Sequence, residues 1–224
     1  KFGTTTETYT SPVEPHLIVD NPTIDSDSEG SYTELLENSI PEYEICSSIP
    51  ESVSINGEIH DFPQNSLALI IAHIVNIEGP IHIDEVIRRI RTLWRKGRAG
   101  DRIKNTIINA ADVAQRNQTI RIQSKFLWPY QSRPVVVRRR SIDPPPNIDF
   151  ICDEEISEAI KLVLQHQSST AADDLATRSS RLLGIQATRA DTAKRIHSVI
   201  DKMLNKGELE QLPNGMVGIK NQSM

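Results

Sequence analysis

Residues 1–60 show neither a sustained alternation nor a helical period. Apolar residues are scattered among Thr, Ser, Glu, Asp and Pro, and short extended pieces are predicted only at Leu17-Ile18-Val19 and Tyr43-Glu44-Ile45. Such a stretch buries too little apolar surface to offset the entropy of ordering it, so it reads as a flexible segment. At Pro63 the pattern changes. Leu67, Ile70, Ile71, Ile74 and Val75 recur at helical spacing, and Gly79-Pro80 ends the run. A second helix is predicted from about His82 to Trp94, with His82 at the cap, Asp84 and Glu85 in the positive first turn, and Val86, Ile87, Ile90, Leu93 and Trp94 inward. A third spans about Asp101–Arg116, its inward stripe made by Ile103, Ile107, Ala110, Ala111 and Ala114. Two β-like runs follow, Thr119–Gln123 and Phe126–Trp128, joined by a tight turn around Ser124.

Residues 131–150 form a boundary containing Pro134, the run Pro144-Pro145-Pro146 that favours an extended polyproline conformation, and Val135-Val136-Val137, a short strand expected to dock on a neighbour. After Phe150 the same order recurs. Helices are predicted at about Asp153–Gln165, Ala171–Leu183 and Ala190–Asn205, then runs at Glu208–Leu212 and Met216–Ile219 flank Asn214-Gly215, a strong hairpin signal. Helix, helix, helix, hairpin is the winged-helix order. The predicted fold is therefore mainly α with small β-hairpins (α+β), as tandem winged-helix modules. The expected parts are an acidic flexible segment (1–60), a first module (61–130), a basic, Pro-rich linker (131–150) and a second module (151–224). The repeat is one of pattern, not of residues.

Composition narrows the class. At 38% hydrophobic and 25% charged residues the chain suits a soluble globular protein and excludes collagen, a mucin-like stalk and a disulfide scaffold. No apolar run approaches the ~18–20 residues of a membrane span, so no membrane partner is expected. Cys46 and Cys152 are far apart and lack paired zinc-site spacing, and they read as ordinary thiols in the reducing cytoplasm. His16, His60, His73, His166 and His197 are dispersed without metal-ligand spacing, so no metal or cofactor is expected. The chain starts at Lys1, which predicts a piece of something longer.

Charge changes the picture further. The net formal charge is -5, but residues 1–60 carry twelve acids against Lys1, residues 61–140 carry six acids against fifteen bases, and residues 141–224 carry twelve acids against nine bases. The total hides a strongly basic middle, and a basic middle fits a polyanion. On the wheel of the third helix, Arg102, Asn105, Thr106, Asn109 and Arg116 lie opposite the apolar stripe. Cations and side-chain amides there suit phosphates and base edges, because a groove that admits one helix must be rimmed by positive charge. Arg95, Lys96 and Arg98 sit just before that helix, Arg121 and Lys125 in the wing, and Arg138, Arg139 and Arg140 in the linker. These twelve residues, Thr106 apart, are the candidate DNA contacts. The bland alternative is a solvated polar face on a packed helix. The second module is weaker: Arg189, Arg195, Ser198 and Lys202 are offset by Asp191 and Asp201, and Glu208 and Glu210 in its wing repel phosphate, so it is expected to dock rather than to bind DNA. Gly97-Arg98-Ala99-Gly100 lacks the spacing of a phosphate-binding loop, Trp94 and Trp128 read as core anchors, and nothing resembles a nucleophile with its base, so no catalysis is expected.

The stretch Glu78-Gly79-Pro80-Ile81-His82-Ile83-Asp84-Glu85, with Arg88-Arg89-Ile90, Arg98-Ala99-Gly100-Asp101-Arg102-Ile103 and Phe126-Leu127-Trp128-Pro129, resembles an uncharacterised domain near the C-terminus of large bacterial proteins related to superfamily-I DNA helicases. Those proteins often carry a very-short-patch-repair-like nuclease region, and some are linked to defence against phage. The resemblance covers about residues 62–130, and Ser180-Arg181-Leu182-Leu183-Gly184 is similar to the segment that follows in them. It implies a DNA-handling context in which helicase or nuclease regions of a larger protein are partners. Motor motifs and a nuclease core are absent from this sequence. The expectation is a non-catalytic module that grips duplex DNA through its first winged helix, with about five phosphate contacts and a log–log salt slope of roughly -4 to -5. The alternative is a protein–protein scaffold without DNA contact, whose acidic tail meets a basic partner; a separate expectation is that the tail mimics DNA, folds back over residues 88–104 and inhibits DNA binding. A metal-dependent nuclease ranks third.

Overall fold

The computed structural model describes residue 36, residues 38–141 and residues 144–220, so the extended piece expected at Leu17–Val19 lies outside the described residues. The first unit runs α1 (Gln64–Glu78), β1 (Ile81–His82), α2 (Ile83–Leu93), α3 (Asp101–Arg116), β2 (Ile120–Gln123) and β3 (Phe126–Pro129). The second runs α4 (Asp153–Gln167), β4 (Ser169–Thr170), α5 (Ala172–Leu182), α6 (Ala190–Asn205), β5 (Leu209–Gln211) and β6 (Val217–Ile219). Both are winged-helix-like: each has a three-stranded antiparallel sheet in which the short first strand joins the hairpin, in the orders β1-β3-β2 and β4-β6-β5. The helices of the second unit begin 89 residues after their counterparts, Asp153 after Gln64, Ala172 after Ile83 and Ala190 after Asp101.

Local chemistry sets the element ends. Pro63 stands at the cap of α1, where its missing N–H costs nothing, and Gly79 in extended conformation closes it. His82 caps α2, its Nδ1 accepting the Asp84 N–H at 3.2 Å. The second and third helices of both units end in the same motif. The N–H of Lys96 donates to the Arg91 carbonyl and that of Arg95 to Thr92, with Arg95 at φ 52; Gln118 (φ 56), Gly184 (φ 89) and Gly207 (φ 70) hold the same place in α3, α5 and α6.

Each unit has its own core. In the first, α1 packs along α3, with Ala68 and Ala72 facing a helix whose buried face includes Ala110, Ala111 and Ala114, so the two backbones come close. Trp94 is buried in the first core, and Trp128 is buried outside it. No helix among the described residues is long and apolar enough to cross a membrane.

The predicted boundary at residue 60 falls inside packed structure. Cys46, Val53, Ile59 and Phe62 are buried in the first core, and Ile40 in the second. A 3₁₀ turn, Ile59–Asp61, precedes α1, and its counterpart Ile148–Phe150 precedes α4. Burying Ile59 contributes about 2 kcal/mol toward holding the segment against α3.

The linker is not a loose tether. Val137 is buried, Arg139 forms a parallel bridge with Glu42, and no regular strand forms over Val135–Val137. The N–H of Tyr43 donates to the Arg139 carbonyl at 2.9 Å and that of Arg139 to Pro41 at 2.8 Å. Around this bridge lies a network joining the units. Glu155, fully buried in the first turn of α4, takes both Arg138 (Nη2–Oε2 2.7 Å) and Arg140 (Nη1–Oε1 2.8 Å). Arg138 also reaches back to the carbonyls of Glu78 at 2.6 Å and Pro80 at 3.2 Å, at the end of α1. Both guanidiniums lie over the Tyr43 ring, at 4.8 and 4.6 Å. The Tyr43 hydroxyl donates to Glu78 at 2.8 Å, and Glu78, also fully buried, is held by Arg89 through two bonds of 2.7 and 2.9 Å and by the Cys46 N–H at 3.0 Å. A carboxylate at a helix C-terminus opposes the dipole; four donors compensate it.

Candidate nucleic-acid interface

The turn between α2 and α3 and the outer face of α3 carry most of the candidate residues. Arg95, Arg98, Arg102, Asn105, Asn109 and Arg116 are exposed there, and Lys96 is half-buried; Lys104, outside the candidate set, is exposed beside them. Among the described residues Arg95, Arg98, Lys104 and Arg116 make no ion pair with a carboxylate, whereas Lys96 meets Glu58 at 2.8 Å and Arg102 meets Asp61 at 3.4 Å. The Lys96 ammonium, by hydrogen bond and by charge, holds the Glu58 carboxyl below the usual carboxylate range. Thr106 turns its hydroxyl onto the Arg102 carbonyl and is spent within the helix. The turn is open: a Cβ added at Gly97 or Gly100 would touch nothing. No side chain caps α3, so its first N–H groups are left to another acceptor.

Sequence reasoning missed Lys104 of α3 and also Arg91, one helical turn before Arg95. Arg91 is half-buried, and its Nε–H has no partner among the described residues. The available signal was its place in the last turn of α2, next to the basic connector.

Other candidates lie elsewhere. Arg138 and Arg140 are turned inward onto Glu155, each side chain only 12% exposed, which withdraws them from any DNA-facing set. A run of three arginines looks like a phosphate ligand; here alternate members face in, because the segment is extended and Glu155 supplies a buried acceptor for both. Burial would raise the Glu155 carboxyl, but the charges and hydrogen bonds of Arg140 and Arg138 outweigh it and hold the group down. Arg139 points outward and pairs with Glu42 at 3.4 Å. Arg121 is half-buried, its Nε–H donating to the Pro129 carbonyl at 3.2 Å across the hairpin.

Lys125 stands at the tip of a hairpin whose turn is only two residues long, since Gln123 pairs with Phe126. That tip lines a cleft of about 580 Å³ between the units, with His82, Phe126, Trp128 and Phe150 as aromatic wall and Asp84, Asp149, Asp153 and Glu154 as acids. His82 stacks on Phe150 at 4.5 Å; burial, with the Lys125 charge in support and Asp84 opposing, pushes its pKa down. A phosphate at Lys125 would meet carboxylates.

In the second unit the start of the corresponding corner is closed, while Gln186, Ala187, Arg189 and Asp191 beyond it are exposed. Ile185 is buried where the first unit has Lys96, and Ser180 where it has Arg91. Gly184, at the place of Arg95, lies under the linker: an added Cβ would sit 2.3 Å from the Arg140 carbonyl oxygen. Arg195 and Lys202 both bind Asp153 of α4.

Residues 58–105 match a family described as a protein of unknown function (DUF3320). The matched stretch runs from Glu58 through α1 and α2 into α3, and so contains the whole open corner. No curated protein and no solved structure matches the chain.

Proposed function

We propose that the first unit is a non-catalytic duplex-DNA grip and that the second is the brace that holds it in place. The observation that carries this reading is the difference between two corners of one architecture. At equivalent positions Arg91, Arg95, Lys96, Arg98, Arg102 and Lys104 give way to Ser180, Gly184, Ile185, Ala187, Asp191 and Ala193. Burial explains Ser180, Gly184 and Ile185, while Ala187 and Asp191 are exposed and carry no positive charge; the first set is cationic throughout, which packing does not require. Arg91, Arg95, Arg98, Lys104 and Arg116 take phosphates, Lys96 and Arg102 join after exchanging their carboxylates, and Asn105 and Asn109 reach base edges. Arg121 and Lys125 contribute little, because the wing is a two-residue stub beside an acid-lined cleft. The resemblance to helicase-related bacterial proteins supports a place beside a motor or nuclease in the cytoplasm, with any ATPase or cleavage activity supplied there.

A salt titration of duplex binding, with single-stranded DNA as comparator, tests the reading. The expected result is preference for duplex with a log–log slope of roughly -4 to -5. Binding that is insensitive to salt, or unchanged by R95E/R98E, removes the corner from the interface. The scaffold reading is favoured by one observation, the aromatic, acid-rimmed cleft between the units. It predicts no duplex binding even at the lowest salt.

A further inference from the structure

We infer that the segment Gly57–Asp61 is a built-in competitor for the DNA phosphates, with Glu58 and Asp61 occupying Lys96 and Arg102 until a duplex displaces them. The inference rests on the DNA reading of the α2–α3 corner and adds a regulation to it. Three contacts fix the segment. Ile59 is fully buried, the Trp94 indole N–H donates to the Gly57 carbonyl at 3.2 Å, and Phe62 meets Trp94 edge-on with ring centroids 5.1 Å apart. The backbone therefore stays in place while the two acids remain movable: their side chains are 49% and 67% exposed. Each needs only a rotamer change to release its cation, which is the geometry of a competitor that yields without unfolding.

The exchange has a thermodynamic signature. Each phosphate neutralised frees a counterion condensed on the duplex, but a carboxylate that loses its cation attracts solution cations and offsets part of that release. The salt slope of the intact protein then reports fewer phosphates than the duplex touches, by up to about two. Glu58 and Asp61 thus set both the affinity and its salt dependence, and they hold weak polyanions off the corner more effectively than a duplex able to engage all its cations together.

The test compares the full chain with E58Q/D61N and with D201N/E210Q, a control that removes the same formal charge from exposed positions of the second unit. All three bind a fluorescent duplex across a salt series, with thermal melts to confirm folding. The expected result for E58Q/D61N is about 3- to 10-fold tighter binding near 50 mM salt and a slope steeper by about 1 to 2, with less than about 2-fold change in the control. Equal gains in both double variants overturn the inference, since bulk charge then suffices. Binding by the intact protein that E58Q/D61N leaves unchanged overturns it too, while the DNA reading of the corner stands. Absence of duplex binding by every variant overturns both.

Discussion

The two units share strand order, helix spacing and helix-end motif, yet they treat one corner in opposite ways. In the second unit the linker lies directly over Gly184, with Leu183 and Ile185 buried on either side of it. In the first the same position is Arg95, a left-handed residue that glycine would occupy more cheaply, with open space around Gly97 and Gly100. A fold sets where a corner stands; whether it is filled from within or left for a visitor is decided by a handful of side chains.

The comparison is broken most directly at the network that makes one corner internal. Glu155→Gln leaves two largely buried guanidiniums without their acceptor, and the expected loss is about 3–5 kcal/mol in denaturant unfolding. Its pH dependence follows from the sign of the shift. Glu155 and Asp153 are both held below their ordinary values against the pull of burial, Glu155 by Arg140 and Arg138, Asp153 by Lys202 and Arg195. They contribute fully above the unfolded-state values of about 4.3 and 3.9, and that contribution is lost as the pH falls below them. Urea midpoints should drop on acidification through that window, and the drop should be shallower in Glu155→Gln.

Next come the paired helix ends. Gly184→Ala meets both a positive φ and the Arg140 backbone, so a destabilisation of about 2–4 kcal/mol is expected. Arg95→Gly should shift stability by less than about 1 kcal/mol and still weaken duplex binding, since it removes a charge but keeps the turn. Equal stability effects from the two substitutions would erase the contrast between the corners.

Charge reversal sharpens the contrast at a smaller energy. R95E/R98E should weaken duplex binding by about 10- to 100-fold, while R189E/K194E on the second unit's exposed corner and helix should change it by less than about 3-fold. Comparable losses would assign DNA to both units. The smallest effect concerns the thiols. Burial pushes Cys152 up to about 12 and raises Cys46 as well, so neither should react with iodoacetamide near neutral pH until the fold opens. Early modification of Cys46 alone would show the segment before α1 parting from its core first.

Much of the fold is legible in the chain. The helix ends follow from Pro63, Gly79-Pro80, Gly184 and Gly207, and the apolar stripe of α3 puts Asn105 and Asn109 outward by spacing alone. The remainder depends on distant partners. Cys46, Val53 and Ile59 are buried without a period, because their places are set by the first core and not by neighbours in sequence. Arg138 and Arg140 read as surface charge because nothing local marks Glu155, fifteen or more residues on, as their acceptor. The two-residue strands β1 and β4 are too short to leave an alternation. Lys125 reads as a wing contact because the acids across the cleft are brought to it only by folding.

Arg138 grips the last turn of α1 and the first turn of α4 at once, with Tyr43 as the flat plate beneath it. Such a rivet ties the two units at a single side chain: loosening Arg138 would free the end of α1 and the start of α4 together.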